Sequence, residues 1–127
     1  MPQPVVHFDI IGQDPARLRE YYAGLFGWTF DTPSPVAAEV SDQDDYGFLD
    51  LISAEDGTGI RGGVGGGVGY ASHAVLYVSV PQVEDALERA GELGGTRVMG
   101  PARSPGGLVV AHFRDPEGTL IGLAGVP

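Results

Sequence analysis

The alternation of apolar and polar positions divides the first half of the chain into short strands and one helix. Residues 5–11 alternate as a strand. Asp14-Pro15 then provides an N-cap and a first-turn proline for a helix that ends at Gly27. The apolar residues of this helix recur at helical spacing: Leu18, Tyr21, Tyr22 and Leu25. Three further strands are predicted near residues 36–40, 46–53 and 58–64.

The second half repeats this order of elements. Residues 74–80 predict a strand, and Pro81 opens a helix that ends at Gly94-Gly95. A short strand is predicted over residues 96–99, and two further strands are predicted near 107–114 and 119–124. The repeat also shows in the residues, because Glu55-Asp56-Gly57-Thr58 aligns with Pro116-Glu117-Gly118-Thr119 at one constant offset.

These patterns predict an α+β fold in which one domain, residues 1–127, contains two βαβββ modules. The first module is predicted over residues 4–64 and the second over residues 70–126. Between them, the glycine-rich segment 62–69 is interpreted as a flexible connector. A connector of this kind also allows domain swapping, and a mobile flap over a pocket is the alternative interpretation.

The amino-acid composition excludes several kinds of chemistry and disfavours some partners. The 127 residues include 17 acidic residues and seven arginines but no lysine or cysteine, so the formal net charge is −10. This excludes disulfides, a cysteine nucleophile and a lysine Schiff base. The acidic balance disfavours nucleic acid and anionic membranes as partners. No apolar run approaches the roughly 20 residues of a membrane span, and a cytoplasmic protein is expected.

Several motifs resemble the vicinal oxygen chelate superfamily, which contains glyoxalase I, bleomycin resistance proteins and extradiol dioxygenases. They are His7-Phe8-Asp9-Ile10 and Leu25-Phe26-Gly27-Trp28 in the first half, and Leu93-Gly94-Gly95 and Asp115-Pro116-Glu117-Gly118 in the second. The resemblance implies paired βαβββ modules whose sheets curve into a cup around a small-molecule site. It also implies a homodimer, and a domain-swapped dimer is left open.

The resemblance also locates the positions that hold a divalent metal in metal-dependent members of the superfamily. His7 matches the first of four such positions. The other three fall on Val75, Gly122 and Arg61, and Gly62 takes the place of Arg61 if the register slips by one. Glycine and valine offer no side-chain donor, and an arginine repels a cation. No metal cofactor is therefore expected. A divalent metal bound through His7, in a rearranged site with His73 and His112, is the alternative.

The candidate catalytic residues are His7 and Asp9. Because side chains alternate along a strand, both face the same side, where they could act as an acid–base pair or only hydrogen-bond structurally. Other residues are candidates for ligand binding, although each also has an ordinary structural explanation. They are Arg61, His73, Tyr77, His112 and Trp28. For His112 that explanation is a partly exposed histidine with satisfied hydrogen bonds. Tyr46 is considered only as part of an aromatic wall with Trp28 and Tyr77.

The main functional hypothesis is a glyoxalase-like protein that binds a small molecule without the usual metal, with acid–base catalysis by His7 and Asp9. Whether the protein is an enzyme is left open. One alternative is a bleomycin-type resistance protein, which the charge of −10 favours because the drug is cationic. The other is a metal-dependent lyase or dioxygenase with a rearranged site.

Overall fold

The computed structural model describes residues 2–49 and 59–126. The chain divides into two compact units, a first unit of His7–Ala74 and a second unit of Val75–Pro127 with Met1–Val6. The elements in chain order are β1 (Val5–Gly12), α1 (Pro15–Phe26), β2 (Gly47–Leu49), β3 (Arg61–Gly66), β4 (His73–Gln82), α2 (Val83–Glu92), β5 (Thr96–Arg103), β6 (Val109–Arg114) and β7 (Leu120–Val126). The predicted α+β class is confirmed. Neither helix in the described part of the chain has the length and apolar character of a membrane span.

In the first unit, β3 lies between β1 and β2. Strands β1 and β3 run parallel, with His7 opposite Arg61 and Asp9 opposite Gly63. Strand β2 is antiparallel to β3, and Asp31 forms a bridge to Phe48 on the other side of β2. The strands predicted over 5–11, 46–53 and 58–64 correspond to β1, β2 and β3, but residues 50–58 lie outside the described residues.

Helix α1 begins and ends where the sequence indicates. The Asp14 carboxylate accepts a hydrogen bond from the Arg17 N–H at 3.3 Å, and Pro15 occupies the first turn, where its missing N–H loses no helical bond. At the other end, Gly27 adopts a φ of 73° and donates its N–H to the Ala23 carbonyl at 2.9 Å. The predicted capping residues are confirmed.

Gly24→Ala is expected to stabilise the protein by about 0.5–1 kcal/mol. Gly24 lies in the last turn of α1, and a Cβ there would have no atom within 4 Å, so alanine adds helix propensity without a clash. Urea unfolding measures the change. Gly27→Ala is the control, because its surroundings are equally open but its φ is 73°, so alanine there should destabilise. Changes of the same sign would contradict this explanation.

The interpretation of residues 62–69 as a flexible connector is wrong for Gly62–Gly66. These residues form most of β3, and all of them are buried. The glycines serve packing: a Cβ on Gly62 would overlap the ring of Phe8, and one on Gly63 would overlap the hydroxyl of Tyr46. A glycine-rich segment is here a strand whose missing side chains make room for neighbouring rings.

The strand predicted over 36–40 is also wrong, because this segment forms turns. Both the Val40 and the Ser41 N–H donate to the Ala37 carbonyl, at 2.9 and 3.3 Å. Val36, Ala37 and Val40 are nevertheless buried. The pattern of apolar residues alone does not distinguish a buried turn segment from a short strand.

The second unit contains a four-stranded sheet in the order β4–β7–β6–β5. Strands β4 and β7 are parallel, and the other neighbouring pairs are antiparallel. Helix α2 covers this sheet, and the core consists of Val83, Leu87, Val109, Ala111 and Leu123. Each of these elements was predicted.

Strand β5 extends to Arg103, beyond the predicted 96–99. Its pairing with β6 shifts in register between Arg97 and Met99 and again between Met99 and Ala102. The second shift spans Pro101, which has no N–H to donate. An edge strand tolerates such a residue because only one of its sides is paired.

Glu84 of α2 and Arg97 of β5 form an ion pair with two hydrogen bonds. The hydrogen bond from Arg97, more than its charge alone, holds the pKa of the Glu84 carboxyl below its usual value, and the same bond raises the pKa of Arg97. Both side chains are 42% exposed. The pair therefore contributes little to stability at high ionic strength.

Arg97→Gln is expected to raise the pKa of Glu84 towards its usual value and to destabilise the protein slightly at neutral pH. Because the pKa is lowered in the folded state, this stabilisation exists above the unfolded-state pKa and is lost as the pH falls through the folded-state pKa. NMR titration of the Glu84 carboxyl carbon measures the pKa, and melting temperatures at neutral and acidic pH measure stability. An unchanged Glu84 titration would contradict the assignment.

Candidate functional site

Three side chains form a hydrogen-bonded triangle in the first unit. His7 and Asp9 project from the same face of β1, as their alternation predicts, and Tyr46 joins them from the turn before β2. His7 Nε2 lies 3.0 Å from Asp9 Oδ1 and 2.9 Å from the Tyr46 hydroxyl. The Tyr46 hydroxyl in turn donates to Asp9 Oδ1 at 2.5 Å.

The Asp9 carboxylate organises this triangle. The Tyr46 O–H donates to Oδ1, and an imidazole protonated at Nε2 donates to the same oxygen. Hydrogen bonds to an ionised acceptor are roughly twice as strong as neutral ones. A carboxylate bonded to imidazole fixes the tautomer and orientation of the ring, and it stabilises the imidazolium that forms when the ring takes up a proton.

His7 is the member of the triangle that a molecule from solution can reach. Its side chain is 23% exposed, whereas that of Asp9 is 4% exposed and Tyr46 is buried. The ring of Phe48 stacks on the imidazole, with 6.0 Å between centroids and planes 8° apart. Two buried hydrogen-bonding groups and an aromatic face therefore hold a half-buried imidazole in one orientation.

Gly63 makes this arrangement possible. It lies opposite Asp9 in the strand pairing, and the ring of Tyr46 lies across it, so that a Cβ would overlap the Tyr46 hydroxyl. Tyr46 was considered only for an aromatic wall, and sequence reasoning missed its bond to Asp9. The available signal was the run of glycines in a predicted strand, which indicates that another group approaches the backbone closely.

A second tyrosine–histidine pair lies in the second unit. The hydroxyl of Tyr77 and Nε2 of His112 are 2.8 Å apart, and both residues are buried. Gly122 lies between them in the sheet, opposite Tyr77 on one side and His112 on the other. His112 was expected to be partly exposed. That expectation is wrong, because its ring packs against Tyr77 over a glycine that contributes no side chain.

The other candidate ligand-binding residues lie in different surroundings. Arg61 is exposed and is paired with His7 across the strands. His73 is half-buried, and its Nδ1–H donates to the Ala71 carbonyl at 2.7 Å. Trp28 contacts Phe8 and Tyr22, each with 5.7 Å between ring centroids. Since Phe8 lies on the face of β1 opposite His7, Trp28 belongs to the aromatic packing around α1.

The described residues do not fit the metal that the resemblance associates with this fold. Residues 2–49 and 59–126 contain no group of three or more histidine, cysteine, aspartate or glutamate side chains placed to hold a metal ion. His7 and His73 belong to the first unit and His112 to the second, and the rearranged metal site of these three histidines stays a prediction. At the predicted ligand positions, Val75 and Gly122 offer no donor atom.

Two clefts open elsewhere on the described surface, one in each unit. A cleft of about 380 Å³ lies beside the start of α1 and includes Asp14 and Tyr22 in its lining. Another of about 580 Å³ lies beside the start of α2 and includes Val80 and Asp85. Neither is lined by a member of the hydrogen-bonded triangle, so the chemistry of the triangle is separate from both clefts.

Comparison with known proteins identifies similar folds. A family model described as Glyoxalase/Bleomycin resistance protein/Dioxygenase superfamily matches residues 5–123, and no curated protein matches. A variant of Streptomyces coelicolor methylmalonyl-CoA epimerase in complex with 2-nitronate-propionyl-CoA is 16% identical, with a TM-score of 0.67 over 96% of each chain. A methylmalonyl-CoA epimerase in complex with methylmalonyl-CoA and NH4+ is 15% identical, with a TM-score of 0.69 over 99% of this chain and 96% of that one. A hypothetical protein from Bacillus halodurans C-125 is 12% identical, with a TM-score of 0.69 over 100% of this chain and 96% of that one.

Proposed function

We propose a function from the premise that the chain belongs to the Glyoxalase/Bleomycin resistance protein/Dioxygenase superfamily, whose model matches residues 5–123. The protein binds a small molecule beside His7 and transfers a proton on it. The His7 imidazole is the acid–base group, and Asp9 and Tyr46 are positioning residues. One observation carries the proposal: a half-buried imidazole, 23% exposed, is bonded to a buried carboxylate that also accepts a hydrogen bond from a buried phenol.

The proposed reaction class is proton transfer, because the triangle positions an imidazole beside a carboxylate. A positioned imidazole contributes about 10²–10⁴-fold to a proton transfer. Asp9 keeps the ring oriented and balances the positive charge when His7 holds the extra proton. Two structural relatives are methylmalonyl-CoA epimerases, and inversion of a carbon centre requires a proton to leave and return. We therefore propose proton exchange at a carbon that a neighbouring carbonyl group makes acidic.

Deuterium uptake from D2O into methylmalonyl-CoA, followed by proton NMR, tests this function. We expect the wild-type protein to accelerate uptake over the protein-free reaction and His7→Gln to reduce that acceleration about 100-fold or more. Tyr70→Phe is the control, because the Tyr70 hydroxyl donates to the Ala38 carbonyl and is not a member of the triangle. Uptake that is not accelerated by the wild type, or that survives in His7→Gln, would overturn the proposal.

Metal removal provides an independent check. Every group in the proposed step belongs to His7, Asp9 or Tyr46, so we expect uptake to persist in EDTA and in metal-free buffer. Elemental analysis of the purified protein should find less than one divalent metal ion per chain. Activity that EDTA abolishes and one added metal restores would contradict the metal-independent proposal.

Binding of a cationic molecule without turnover is a second candidate function, and the charge of −10 favours it. Calorimetric titration with bleomycin separates the two. Tight binding that weakens with salt, together with no deuterium uptake, would replace the enzymatic proposal by this one.

The homodimer expected from the family resemblance stays a prediction, which light scattering checks.

A further inference from the structure

A cationic side chain lies next to the proton-transfer site. Arg61 of β3 is paired with His7 of β1 in parallel register, and neighbouring strands are about 4.8 Å apart. Cβ atoms on Gly63 and Gly65 would point at Tyr46 and Ser41, which identifies the face of β3 that carries the triangle. Since side chains alternate along a strand, Arg61 projects from this same face.

Arg61 is exposed and makes no ion pair or hydrogen bond with the residues that the structure describes. Arg97, which is paired with Glu84, and Arg89, which is paired with Glu92, differ in this respect. The guanidinium of Arg61 therefore has no carboxylate partner among residues 2–49 and 59–126, and its exposed position makes it accessible to a ligand. Its planar fork matches the two oxygens of a carboxylate and remains charged at every physiological pH.

We propose that Arg61 binds a carboxylate group of the substrate and that the substrate of this protein is therefore a small carboxylic acid or a derivative that keeps a free carboxylate. This inference rests on the proposed function, because it places the anion beside the carbon whose proton His7 moves. The two-oxygen fork fixes the orientation of the substrate on the sheet face. The guanidinium also offsets the negative charge that develops when the proton leaves.

Malonate is the probe, because it carries the carboxylate group that Arg61 is proposed to bind. Its binding can be measured without turnover. We expect malonate to shift the NMR signals of the Arg61 side chain and of the His7 ring in the wild-type protein. Arg61→Gln should weaken malonate binding about 10-fold or more. Arg103→Gln is the matched control, an exposed arginine on β5 of the second unit, and should bind malonate as the wild type does.

The outcomes separate this proposal from the proposed function. His7→Gln should lose deuterium uptake but keep malonate affinity within about threefold of the wild type, since the imidazole is not the anion's main contact. Absence of malonate binding, equal weakening by Arg61→Gln and Arg103→Gln, or equal affinity for inorganic phosphate would each overturn the carboxylate site. If Arg61→Gln alone weakens binding but His7→Gln keeps its uptake, the carboxylate site stands and the proposed function fails.

Discussion

Gly66→Ala is expected to lower the free energy of unfolding by about 2–5 kcal/mol, from a strained backbone and from overlap with a neighbouring strand. Gly66 ends β3 with a φ of 122°, and a Cβ there would overlap the backbone carbonyl oxygen of Gly12. That oxygen accepts the Gly67 N–H at 2.9 Å, and the Gly66 N–H donates to the Ser41 hydroxyl at 2.8 Å. Alanine therefore disturbs several hydrogen bonds at the point where β1 and β3 end.

Gly69→Ala is the matched control, because its φ of 91° is also positive but a Cβ there would have no atom within 4 Å. Gly69→Ala should lower the free energy of unfolding only by the strain of placing alanine at a positive φ, about 1–2 kcal/mol. The additional loss in Gly66→Ala, about 1–3 kcal/mol, then reports the overlap with Gly12. Urea unfolding at one temperature measures both variants. Equal losses would contradict the close approach of the two strands.

Tyr46→Phe is expected to destabilise the protein by about 1–3 kcal/mol, because it removes a donor from a buried carboxylate. The Tyr46 hydroxyl donates to Asp9 at 2.5 Å and lies 2.9 Å from His7 Nε2. Without this hydroxyl, the only bond of the triangle that Asp9 keeps is the one to His7. The side chain of Asp9 is 4% exposed, so water does not readily replace the lost donor. The same change should reduce deuterium uptake, since the imidazole loses one of the hydrogen-bonding groups that position it.

Tyr70→Phe is the control for this substitution, since its hydroxyl donates to the Ala38 carbonyl at 2.7 Å in an exposed position. We expect a change in stability of no more than about 0.5 kcal/mol. A double-mutant cycle of Tyr46→Phe with Asp9→Asn should give a coupling energy of about 0.5–3 kcal/mol. A coupling energy near zero, or equal losses in Tyr46→Phe and Tyr70→Phe, would refute the triangle as a stabilising network.

Short-range signals were enough for the elements whose boundaries depend on neighbouring residues. Helix α1 has its cap at Asp14 and its stop at Gly27 because side-chain capping and a left-handed glycine act within one turn of the helix. The shared face of His7 and Asp9 follows in the same way from the two-residue period of a strand. These features could be predicted because distant parts of the chain do not change them.

The errors occur where a distant residue decides the structure. Residues 62–66 have the composition of a linker, and they form a buried strand because Phe8 and Tyr46 occupy the space that side chains would fill. His112 is buried because Tyr77, from another strand, bonds to it over Gly122. No local pattern distinguishes a glycine that is free to move from a glycine that is packed under a ring.

Periodicity and capping act over a few residues, so the α+β class, the ends of α1 and the face of β1 that carries His7 and Asp9 could be predicted from the sequence. The triangle that Tyr46 completes with them, and the position of Arg61 opposite His7, emerge only when the chain is folded. Both depend on the register of strands that are far apart in the chain. A shift of one residue would turn every side chain of β3 to the other face, so the site exists only once that register is set.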